Sequence, residues 1–94
     1  LKLLESRLVH TVTLKQTEWR KRNKRIADAV YLYQVDNDGE WGEISFDFEA
    51  GTAEIIRLAE WDTTISKVFA TKVVALVMKD GDYQTKESIL AVSC

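Results

Sequence analysis

Between residues 30 and 61 the chain alternates apolar and polar side chains with the period of a β-strand. Ile44, Phe46 and Phe48 interleave with Glu43, Ser45, Asp47 and Glu49, so this segment has one dry face and one wet face. Residues 30–35 before it are rich in β-branched and aromatic side chains, and residues 53–59 after it return to apolar character at Ile55 and Ile56. Residues 36–39 (Asp-Asn-Asp-Gly) and 49–52 (Glu-Ala-Gly-Thr) separate the three runs. Both are turn formers, and Gly39 is free to take a positive φ. The pattern predicts a three-stranded meander. The adjacent isoleucines of its last strand predict either cover on both sides or a place next to a sheet edge.

After Asp62 the period changes. Ile65, Val68, Phe69, Val73, Leu76 and Val77 recur at helical spacing. Asp62, Thr63 and Thr64 offer N-caps, Lys79 suits the negative end of the helix dipole, and Gly81 can close the helix. The β-rich run at 73–78, followed by Lys-Asp-Gly-Asp, competes as a strand entering a hairpin. The 3.6-residue spacing, held over about four turns, favours the helix. Val74, Ala75 and Met78 lie off its main stripe, which predicts another strand over them, a partner or a second copy of the chain. Residues 88–94 read as a short final strand, and the alternating, β-branched residues 7–14 as a first one. Residues 17–28 fit either a helix from Thr17, with Trp19, Ile26 and Val30 on one face, or a wide basic hairpin turn. The expected fold class is therefore α+β. A mainly antiparallel four- to five-stranded sheet carries one helix, about residues 63–79, on one face, in the order β-(basic connector)-β-β-β-α-β.

Composition sets the scale. Ninety-four residues make one compact domain, 1–94, that hides roughly two-thirds of its unfolded surface. With 46% hydrophobic and 30% charged residues the chain is globular rather than disordered. Cys94 is the single cysteine, so no internal disulfide can form and a cytoplasmic location is expected. Residues 1–9 meet Glu5 and Arg7 too early for a secretory h-region, and the apolar run at 73–78 is too short to span a bilayer, so no membrane association is expected.

Charge changes the picture more, because it is segregated. The net charge is +5 over residues 1–35, −8 over 36–62 and +1 over 63–94, within a total of −2. A mild sum conceals an acidic middle and a basic cluster.

Reaction chemistry finds little material. Placing Gly39 at the sixth position of a calcium loop puts Gln34 first and Ser45 twelfth, and both fail as ligands. Glu43, Asp47 and Glu49 share a strand face at about 6–7 Å per two residues, a spacing open to acid pairs. Their face is wet, however, and cannot lift a pKa. His10 and Cys94 are the only imidazole and the only thiol, too few for a zinc site and without an orienting third group for catalysis. No glycine-rich phosphate loop occurs. The expectation is a non-enzymatic protein without cofactor or metal.

Two binding readings follow. The first is an inhibitor or immunity-type module whose acidic sheet face contacts a basic protein partner through Asp36, Asp38, Glu40, Trp41, Glu43, Asp47 and Glu49. The alternative is a nucleic-acid-binding domain. Arg20, Lys21, Arg22, Lys24 and Arg25 would neutralise phosphates, with Trp19, Tyr31 and Tyr33 near enough in sequence to stack on bases. A homodimer through the second helix patch also stays open.

Overall fold

The computed structural model describes residues 9–62, 67–79 and 87–93. Its elements are β1 (Val9–Arg22), β2 (Arg25–Val35), β3 (Asp38–Asp47), β4 (Thr52–Arg57), the helix α1 (Val68–Lys79) and β5 (Glu87–Ser93). The strands lie side by side in the order β4-β3-β2-β1-β5, each pair antiparallel, with α1 across one face. The expected α+β architecture, an antiparallel sheet with one helix among the described residues, is the one observed.

Residues 17–28 form neither a helix nor a separate connector. They are the ends of β1 and β2, joined by Asn23 and Lys24 with φ of 52° and 66°. Two left-handed residues in a two-residue loop match the twist of the flanking strands. Asn tolerates that region well, and Lys24 costs about 1–2 kcal/mol there. The pairing of Glu18, Trp19 and Arg20 with Val30, Ala29 and Asp28 outweighs the local helical tendency of the basic run. Two register shifts interrupt the ladder, one at Ala27 and one at Thr17, whose hydroxyl donates to Val30 O at 3.4 Å.

Strands β2 and β3 join at a second left-handed pair, Asp36 and Asn37, both with φ 54°. Gly39, at φ 80°, follows as an irregularity in the ladder rather than as the corner itself. Asp36 fastens this turn to β1. Its carboxylate accepts from His10 Nδ1 at 2.7 Å and from Thr11 N at 3.0 Å, and Thr13 Oγ1 donates to Asn37 Oδ1 at 2.8 Å.

Alternation decides the core. Along β2, Ala27, Ala29, Tyr31, Tyr33 and Val35 are buried while their neighbours are half-buried. Val12 and Leu14 of β1 and Ile44 and Phe46 of β3 join them on the same side. Phe69, Ala70, Val73 and Val77 of α1 close the layer from above. Tyr33 lies opposite Gly42, where a Cβ would overlap its ring and sit 2.5 Å from Ala59 N. The glycine is therefore the space in which the tyrosine ring lies.

The helix is described over Val68–Lys79. The expected start at Thr63, Thr64 and Ile65 lies outside the described residues, as do Gly81 and Cys94. Lys67 supplies the first accepting carbonyl, to Thr71 N at 2.9 Å, and has φ 48°. Asp62 caps from a distance: its carboxylate accepts from Ala70 N at 2.8 Å and from Phe69 N at 3.4 Å. One further expectation needs correction: Trp61, whose place between the last meander strand and the helix predicts a core position, is 54% exposed. Of the two alternatives for the adjacent isoleucines the sheet edge is the one observed, and Ile56 is 50% exposed. Ile56 falls where the β3–β4 register shifts, on an edge strand, so the second isoleucine is not covered. Val74 and Met78 are packed against the core cluster, which removes most of the second helix patch.

Candidate functional site

The acidic residues do not form a surface of one sign. The register places Glu43, Asp47, Glu54 and Arg57 on the sheet face away from the helix, along with Lys15, Glu18, Arg20 and Asp28. Five carboxylates thus share that face with three cations. Individual acids are also engaged. Glu43 stands 3.9 Å from Arg57 and Glu49 3.7 Å from Arg22. Asp47 Oδ1 accepts from Glu49 N and Ala50 N at 3.1 and 3.0 Å and so belongs to the β3–β4 turn. Asp36 is held below the usual carboxylate range, first by the hydrogen bond from His10 and further by Thr11 N–H, with burial opposing. Among the described residues, Asp38 and Glu40 alone of the six acids proposed for partner contact have side chains without a cation or N–H partner. Trp41, next to Glu40, is half-buried, and its carbonyl accepts from Arg57 Nε at 3.0 Å.

The basic residues are drawn together instead. The turn at Asn23–Lys24 folds Arg20, Lys21 and Arg22 back against Arg25, putting all five cations at one end of a two-stranded ribbon. Two have partners. Arg20 donates to Asp28 Oδ2 through Nε at 2.9 Å and through Nη2 at 2.6 Å, and that bond holds its guanidinium more firmly protonated. Arg22 is the partner of Glu49. Among the described residues Lys21, Lys24 and Arg25 have no carboxylate partner, which leaves a surplus of three positive charges there at the end of the ribbon. Lys21 Nζ lies 5.4 Å from the centre of the Trp19 ring, and that indole is 54% exposed. Tyr31 and Tyr33, expected as further stacking surfaces, are buried in the core and cannot reach a ligand.

Below the ribbon end is a cleft of about 900 Å³. Arg22, Lys24 and Arg25 line it with charge, and Ile26, Phe48 and Met78 add apolar surface. Phe48 stacks on Phe46 with centroids 5.7 Å apart and planes 7° from parallel, which fixes its ring against the core. Sequence patterning placed Phe48 on the dry face of its strand and Met78 in a second helix patch, without bringing the two together. Phe48 continues the dry face of β3 one step past the strand end, and Met78 sits in the last turn of α1, where Lys79 offsets the negative helix end.

His10 is a pinned residue rather than a free base, bonded to Asp36 and set edge-on to the Phe69 ring with centroids 5.3 Å apart. Among the described residues no three of His, Cys, Asp or Glu converge to hold a metal, and no helix is long and apolar enough to cross a membrane. No family model matches the chain, and no curated protein or solved structure is detectably similar to it.

Proposed function

We propose that this protein is a non-catalytic binding module that holds nucleic acid on the basic end of its β1–β2 hairpin. The observation that carries the reading is the surplus of three cations at the Asn23–Lys24 turn, next to an exposed indole. Phosphates meeting Lys21, Lys24 and Arg25 displace no ion pair among the described residues, so the contacts add to affinity. The acidic total does not oppose this. The paired and turn-bound acids leave the ribbon end as the locally positive pole, and a dipolar protein approaches a polyanion with that pole first.

The test is fluorescence anisotropy of a labelled oligonucleotide against salt. About three phosphate contacts give a slope of log K on log salt near −2 to −3. Reversing Lys24→Glu and Arg25→Glu together removes most of the affinity and flattens the slope. An oligonucleotide left unbound by micromolar protein at about 50 mM salt ends the reading.

A basic protein partner is the second reading. It retains the exposed Asp38 and Glu40 beside Trp41, but Arg22, Arg57 and His10 already occupy acids on which it relies. A cytoplasmic setting belongs with the first reading and rests on the single cysteine.

A further inference from the structure

We infer that the cleft beneath the ribbon end receives an unpaired nucleobase, so that the ligand is a single strand rather than a duplex. This inference rests on the nucleic-acid reading of the hairpin end. Its physical basis is the mixed lining of the cleft, which sets cations beside apolar side chains. Lys24 and Arg25 suit phosphate, while Ile26, Phe48 and Met78 suit the uncharged face of a heterocycle. Glu49 also lines the cleft, but it stands 3.7 Å from Arg22, so its charge is compensated and the phosphates are directed toward Lys24 and Arg25.

The aromatic surface is rigid. Phe48 is stacked on Phe46, which is buried in the core, so a base meeting Phe48 orders no mobile side chain. A volume of about 900 Å³ admits a nucleotide unit without rearrangement of the strands. A base pair within a duplex has its faces covered by its neighbours and cannot enter. A duplex could use the cations but would leave Ile26, Phe48 and Met78 uncontacted. A single strand satisfies both parts of the cleft at once.

Three labelled ligands separate these possibilities on the unmodified protein: a short oligothymidylate, an oligomer of equal length and charge that lacks the bases, and a duplex of that length. The oligothymidylate is expected to bind about ten-fold more tightly than the baseless strand, with the same salt slope for both. Phe48→Leu, which keeps the apolar volume, is expected to reduce that ratio several-fold while leaving the slope intact. Equal binding of the two single strands overturns the base-in-cleft inference and leaves the electrostatic reading standing. A duplex that outcompetes the oligothymidylate at every salt concentration overturns it as well. If none of the three binds at about 50 mM salt, both readings fall together.

Discussion

The Tyr33 hydroxyl donates to Asp62 Oδ2 at 2.8 Å, and this bond ties the centre of the sheet to the start of the helix. The same oxygen accepts from Ala59 N at 3.0 Å, and Asp62 in turn accepts from the first helical N–H groups. One buried phenol thus satisfies groups on either side of the β4–α1 connection. Burial first, and the neighbouring Asp62 after it, push its pKa well above the ordinary value of 10, with the Ala59 N–H pulling the other way, so it serves as a neutral donor throughout the physiological range.

Tyr33→Phe keeps the ring and deletes the link. Ala59 N and Asp62 then lose a partner in a part-buried site, which costs about 1–3 kcal/mol. Urea denaturation is expected to show a lower midpoint with an unchanged slope. An unaltered midpoint would mean that water replaces the hydroxyl without loss.

Gly42→Ala tests the other side of the same ring. The added methyl meets a buried aromatic and a backbone nitrogen, neither of which can swing away. A loss of about 1–3 kcal/mol is expected, the usual scale of overpacking. Thermal melts read it directly.

The meander, the helix and the turn positions are legible in the sequence because each rests on local chemistry: alternation at 43–49, 3.6-residue spacing after Asp62, and turn formers at 36–39. The basic hairpin is ambiguous because its decision is non-local. A helix from Thr17 and a ribbon have similar local preference, and only the pairing of Trp19 and Arg20 with Ala29 and Asp28 separates them. The fate of the acids is equally hidden. Counting charge along the chain shows −8 over residues 36–62, but not that Arg22 arrives beside Glu49 from a strand two places away in the sheet. The cleft joins β2, the β3–β4 turn and the end of α1, segments that no sequence window holds together.

Asp36 makes stability depend on acid. Its folded-state pKa lies below the ordinary 3.8, so its contribution is fully present above that value and is lost as pH falls through the lowered one. The side chain is 46% exposed, which limits the effect to about 1 kcal/mol or less. Asp36→Asn, which tolerates the same left-handed backbone, is expected to be less stable than the parent at about pH 6 and to match it near pH 2. Chemical denaturation at the two pH values checks the convergence.

Lys24 sets stability against binding. At φ 66° a glycine removes the steric cost, so Lys24→Gly is expected to raise stability by about 1 kcal/mol. The same change deletes one unpaired cation and should weaken oligonucleotide binding, reducing the salt slope by about 0.7–0.9. Melting temperature and anisotropy are expected to move in opposite directions.

Glu49→Gln releases Arg22 from its only carboxylate partner among the described residues. Affinity for an oligonucleotide should rise several-fold at about 50 mM salt, with a steeper slope. An affinity unchanged within error would place Arg22 outside the contact.

The shift in register at Ile56 has a consequence for how copies of this chain coexist. An outermost strand reading Thr-Ala-Glu-Ile-Ile-Arg offers a template on which an unfolded neighbour could lay down further ladder hydrogen bonds. The irregular spacing breaks that template halfway along, and Glu54 and Arg57 flank the two isoleucines with charge. Growth of the sheet from molecule to molecule along this edge is thereby discouraged, even though a branched apolar side chain is left in water.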